Sequence, residues 1–117
     1  MQKKTEATFF DSQLATKELT DEVFEIVNNR AKVIRLVSMA KSALRHNLRD
    51  EISKMNLPVC LIWGKEDTIT PAFVADEFHK LLPDSELHLI AKCCHAPMME
   101  QPEKFNEILE SFLIKQT

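Results

Sequence analysis

Glycine is almost missing from this chain. Gly64 is the only one among 117 residues, where an average usage near 7% would place about eight. A loop that cradles phosphate needs several glycines to bring backbone N–H groups against the ligand, so glycine-rich nucleotide loops are excluded. A serine displayed on a sharp turn between two glycines is excluded for the same reason. Positive charge is also short: 15 Lys and Arg stand against 18 Asp and Glu, a formal net charge of -3, and the one basic run is the terminal pair Lys3 and Lys4. Nucleic-acid phosphates require a basic face, so a general nucleic-acid binder is not expected. No segment approaches the roughly 18 consecutive apolar residues of a membrane span, and "MQKKTEATFF" lacks the apolar stretch of a signal peptide. The expected compartment is the cytoplasm, with no membrane partner. Cys60, Cys93 and Cys94 are an odd number with two adjacent, which is neither a disulfide framework nor metal-ligand spacing.

What is there divides near residue 56. Before it the periodic segments are helical. "LTDEVFEIV" has Thr20 as an expected N-cap, acidic Asp21 and Glu22 in the first turn, and Leu19 and Phe24 placed as a hydrophobic staple, predicting a helix over about 20–28. Asn28 and Asn29 interrupt it, since asparagine caps either end of a helix. Val33, Ile34, Val37, Ala40, Leu44 and Leu48 recur at spacings of three and four, predicting a second helix from Arg30 to about Asp50. The first 19 residues show no period and read as a loop or an arm.

After residue 56 strand and helix patterns alternate. "PVCLIW" is an apolar run between proline and glycine, as expected of a strand covered on both faces. "TPAFVADEFHKLL" offers Thr70 as N-cap and Pro71 as first helical residue, with Val74, Phe78, Leu81 and Leu82 on one face. "ELHLI" is a second strand, and "PEKFNEILESFLIK" a closing helix with Phe105, Ile108, Leu109, Phe112 and Leu113 as its apolar stripe. The expected class is α/β: a helical segment over 1–55, then a parallel βαβα unit over 56–117 with a right-handed crossover.

Ligands of parallel sheets gather at the carboxyl ends of the strands. There "GKEDTITP" offers Glu66 and Asp67, and "AKCCHAP" offers His95. Strands about 4.8 Å apart would bring one carboxylate and the imidazole within reach of each other, where the carboxylate can fix the ring's tautomer and stabilise its protonated form. Glu66 reads as a solvated neighbour, His46, His79 and His88 as surface or partly packed groups. Cys93 and Cys94 read as structural rather than nucleophilic, and Met98, Met99 and Trp63 as packing.

The strand ending "LIWGKEDTITP", the strand ending "LHLIAKCCHAP" and the following "MMEQPEKFNEILESFL" resemble the C-terminal end of an α/β-hydrolase. The resemblance covers residues 56 to 115, and residues 1 to 50 are similar in position to that family's helical cap. It implies Asp67 as the triad acid and His95 as the triad base, a small-molecule ester, amide or related substrate in the complete enzyme, and no metal or organic cofactor. Two departures stand out. Cys94 occupies the position before the histidine where the family usually has glycine, and none of Ser12, Ser38, Ser42, Ser53, Ser85 or Ser111 has the glycine-flanked setting of the family's nucleophile. The chain alone is therefore expected to be inactive, the alternative being a non-catalytic interaction or assembly module derived from a hydrolase. A strand such as "PVCLIW" left with an unpaired edge further predicts a homo-oligomer.

Overall fold

The computed structural model describes residues 2–46 and 48–117, except the side chains of Gln2, Lys4 and Leu44. Leu44's place in the expected apolar stripe and Lys4's in the basic pair therefore lie outside the described residues.

Two parallel strands organise the second half. Strand β1 (Val59–Gly64) pairs with β2 (Ser85–Ile90) in a register running from Val59 opposite Ser85 to Gly64 opposite Ile90. Helix α5 (Ala72–Leu81) connects them and packs on both, with Ala75 fully buried and the Phe78 ring 6.5 Å from that of Trp63. After β2 come a single-turn helix, α6 (Pro97–Glu100), and the long α7 (Pro102–Gln116), which lies against β1. Proline opens both helices, where its missing N–H and fixed φ cost nothing. The parallel βαβα order follows the expectation from the sequence.

The cover on β1 is thinner than its composition predicts. Val59 to Trp63 are half-buried, and only Gly64 is fully buried. Among the described residues the sheet has two strands, so an edge of β1 carries no partner. The apolar stripe of α7 is likewise only partly covered: Phe105, Ile108, Leu109 and Phe112 are half-buried, and Leu113 is exposed.

The first half differs from expectation in its boundaries. Helix α2 runs Lys17–Asn28, a turn earlier than predicted, because Thr16 is the N-cap and its hydroxyl accepts the Leu19 N–H at 3.2 Å. Thr20 lies inside the helix and donates its hydroxyl to the Thr16 carbonyl. Asn29 closes α2 and opens α3 (Arg30–Arg45), its Oδ1 accepting the Lys32 N–H at 3.1 Å. Helix α3 stops at Arg45 rather than near Asp50, since His46 adopts extended backbone and a separate short helix, α4 (Arg49–Ile52), follows. Helices α2 and α3 pack on each other, but Phe24, Ile34, Leu36, Val37 and Met39 are all exposed.

The first residues are not an unstructured arm. A short helix α1 (Gln2–Glu6), in which Thr5 is buried, is followed by the buried Phe9 and a 3-10 turn at Ser12–Leu14. The Thr8 carbonyl accepts the His95 N–H at 3.0 Å, so this segment is built into the wall of the histidine loop.

Candidate active site

The loops that leave β1 and β2 start from the last register pair, Gly64 and Ile90, and are fastened to one another. Lys65 N–H donates to the Ile90 carbonyl at 2.9 Å and Glu66 N–H to the Cys93 carbonyl at 3.0 Å. In return Cys93 N–H donates to Glu66 Oε2 at 3.2 Å, and the Cys94 thiol to the Glu66 carbonyl at 3.1 Å. Glu66 is thus half-buried and structural rather than a solvated bystander.

This fastening brings Asp67 and His95 together, with Asp67 Oδ2 lying 2.9 Å from His95 Nδ1. The aspartate side chain is 4% exposed and the histidine 41% exposed, so the carboxylate forms the floor and the imidazole reaches solvent. Asp67 Oδ1 accepts the N–H groups of Ile69 and Thr70 at 2.8 and 3.0 Å, and Oδ2 also accepts the Thr70 hydroxyl at 2.9 Å. Burial alone would raise this carboxyl's pKa. The hydrogen bonds from His95, Thr70 and Ile69 together outweigh burial and hold it below the ordinary carboxylate value. The stability contributed by this network is present above the unfolded carboxyl's pKa of about 3.9 and is lost as pH falls through the lower folded value. An ionised carboxylate can only accept, so the neutral His95 ring carries its proton on Nδ1 and its lone pair on Nε2.

Thr70 does not cap α5 as its position predicts. Pro71 occupies the N-cap position without a side-chain bond, and the Thr70 hydroxyl instead contacts Asp67 and lies 3.2 Å from His95 Nδ1. Trp63 contributes more than packing, because its indole N–H donates to the Thr70 carbonyl at 2.8 Å. A cavity of about 180 Å³ opens beside the pair, lined by Ile62, Trp63, Gly64, Asp67, Thr70, His95, Pro97 and Met98, with no serine or cysteine among them. A larger cavity of about 520 Å³ between α4 and α5 has no part of the pair in its wall, whereas the smaller one is lined by both Asp67 and His95.

Glu100 is the functional-region residue that the sequence pattern did not single out. Its Oε1 accepts the N–H groups of Cys94 at 2.9 Å and Ala96 at 3.3 Å, on either side of His95, and its Oε2 accepts Phe10 N–H at 2.6 Å. Cys94 tolerates the position where glycine is usual because its backbone is not left-handed. Among the described residues the one non-glycine with positive φ is Lys92, at 56°. The cysteines are unsuited to act as nucleophiles: Cys93 is fully buried, and burial followed by the nearby Glu100 charge pushes its thiol up to about 12. Burial, again with Glu100, also raises Cys94. Among the described residues no group of three or more His, Cys, Asp or Glu is arranged to hold a metal ion, and no helix is long and apolar enough to cross a membrane.

A parallel βαβα unit with a carboxylate and a histidine paired at the carboxyl end of its strands places this chain among the α/β proteins. The family model for the alpha/beta hydrolase fold matches residues 6–102, and the chain belongs to that family. It is 29% identical over 102 residues to a 2-hydroxy-6-oxononadienedioate/2-hydroxy-6-oxononatrienedioate hydrolase of a Pseudomonas species, covering 86% of this chain and 36% of that protein. It is 44% identical over 59 residues to a pimeloyl-acyl-carrier-protein methyl ester esterase of Nitrosomonas europaea, covering 50% of this chain and 23% of the relative. Among solved structures, MGS-MChE2, an alpha/beta hydrolase enzyme from the metagenome of sediments of the Mar Chica lagoon in Morocco, superposes with a TM-score of 0.78 at 48% identity. The match covers 86% of this chain and 46% of that one. The chain therefore spans well under half the length of these curated relatives.

Proposed function

We propose that this chain carries the acid and base of a serine-hydrolase site, Asp67 and His95, for hydrolysis of a small ester, amide or related substrate, with the nucleophile supplied from outside these 117 residues. The supporting observation is the 2.9 Å contact between buried Asp67 and accessible His95, which leaves Nε2 as the basic nitrogen. In the complete site Asp67 orients the imidazole, and His95 takes the proton of an attacking hydroxyl and returns it to the leaving group. The relatives act in the same direction, since those described above are hydrolases and an esterase.

The chain alone is expected to show no esterase turnover and no covalent labelling by a fluorophosphonate, because no serine lines the cavity and nucleophile and oxyanion donors supply most of the rate. A p-nitrophenyl ester assay and mass spectrometry after probe treatment check this. Turnover that disappears in His95→Ala, or a labelled serine, would show that the chain holds its own nucleophile.

The unpaired edge of β1 and the exposed apolar side chains of α2 and α3 also support a homo-oligomer in solution. Light scattering at micromolar concentration should give a mass of at least twice 13.5 kDa. A monodisperse monomer that melts cooperatively would refute the assembly.

A further inference from the structure

We infer that Thr70 is a positioning residue for the Asp67–His95 pair: its hydroxyl closes a hydrogen-bonded triangle with the carboxylate and the imidazole and holds the ring proton on Nδ1. The inference rests on the acid–base reading of the pair proposed above. Thr70 has little freedom to do otherwise. Its N–H is bound by Asp67 Oδ1 at 3.0 Å, its carbonyl by the Trp63 indole at 2.8 Å, and the following Pro71 confines it to extended backbone. Its β-branched side chain is stiff about χ1. The hydroxyl is thereby set 2.9 Å from Asp67 Oδ2 and 3.2 Å from His95 Nδ1.

Only one proton arrangement satisfies all three atoms. The carboxylate oxygen can only accept, so the Thr70 hydrogen points to Oδ2 and the hydroxyl lone pairs face the ring. Nδ1 then meets two acceptors, the carboxylate and the hydroxyl, and must donate. The opposite tautomer would set the Nδ1 lone pair against the carboxylate and force the hydroxyl to give up its charge-assisted bond. Thr70 therefore does from the Nδ1 side what leaves Nε2 free of its proton on the other. A role confined to the turn would use only its N–H and carbonyl, which any side chain retains, so the hydroxyl can be tested separately.

The test uses the full chain labelled with nitrogen-15 and carbon-13 and read by NMR, at mildly alkaline pH for the ring proton and through an acid titration for the Asp67 carboxyl. The wild type should show a His95 Nδ1–H resonance protected from exchange with water. Thr70→Val should speed that exchange about fivefold, the equivalent of one ordinary hydrogen bond, and raise the titration midpoint of the Asp67 carboxyl by removing a donor. Thr70→Ala should repeat both changes, which guards against a misfit of valine, and Thr70→Ser should restore the wild-type values. Wild-type exchange and an unmoved Asp67 midpoint in both Thr70→Val and Thr70→Ala would overturn the inference, leaving Thr70 as a turn residue only. The pair itself is judged apart from this, by Asp67→Asn: protection lost there but unchanged in the Thr70 variants sinks Thr70's role and spares the pair. An unprotected Nδ1–H in the wild type sinks both.

Discussion

Gly64→Ala is expected to destabilise the chain by at least about 3 kcal/mol, a large part of the roughly 5–15 kcal/mol that holds a domain together. The reason is not backbone freedom, because Gly64 has no positive φ. A Cβ at this position would be driven into the Cys94 carbonyl oxygen and would stand 2.5 Å from that of Cys93, both of them main-chain atoms that cannot rotate away. Relief requires the histidine loop to move off the end of β1. The same loop is bonded to Glu66 through Cys93 and Cys94, so the displacement also separates His95 from Asp67. Denaturant melts of Gly64→Ala beside the exposed neighbour Lys65→Ala, expected within about 0.5 kcal/mol of wild type, check this. Equal stability of the two variants would mean that the loops are not in close contact.

Glu100→Ala should have the next largest effect, about 2–4 kcal/mol, and it should be concentrated at the site. Cys94 and Ala96 are 7% and 8% exposed, so their N–H groups cannot easily exchange Glu100 for water, and each buried donor left without an acceptor costs about 1–3 kcal/mol. The Phe10 N–H loses its acceptor too, though Phe10 is exposed and water replaces much of that bond. Amide hydrogen exchange should therefore accelerate at Cys94 and Ala96 and in the segment around Phe9 and Phe10. Glu100→Gln retains one carbonyl-type acceptor but presents an amide NH₂ in place of the other, so its loss should be smaller. Exchange that stays at the wild-type rate at Cys94 and Ala96 in Glu100→Ala would show that the carboxylate is not what holds the loop.

These two residues mark where the sequence was informative and where it was not. The alternation of β1, α5, β2 and α7 was legible because the elements carry local signals: an apolar run for β1, the turn-forming Pro83 and Asp84 ahead of β2, and proline at the start of α7. Parallel pairing then put the loops with Asp67 and His95 at one sheet edge. Glu100 was illegible because its partners are backbone N–H groups of Phe10, Cys94 and Ala96, and a backbone group has no side-chain type to betray it. Thr70 gave a misleading signal, since threonine ahead of proline resembles an N-cap, whereas the pull of the Asp67 carboxylate and the imidazole decides where its hydroxyl goes. The start of α2 shows a similar limit: the acidic pair Asp21 and Glu22 pointed to Thr20 as the cap, whereas Thr16, a turn earlier, is the one that caps the helix. The thin cover on β1 has a tertiary origin, because an apolar strand sequence records the partners it suits and not how many are present.

The most direct test of the account is the tautomer of His95, read from its ring nitrogen chemical shifts in the wild type and in Asp67→Asn at mildly alkaline pH. A preformed acid–base pair predicts Nδ1 protonated and Nε2 bare in the wild type, with the two nitrogens moving toward a mixture of tautomers once the carboxylate is replaced. The same mixture in both proteins would mean that Asp67 does not orient His95, and would contradict the assignment of the pair as the acid and base of a hydrolase site.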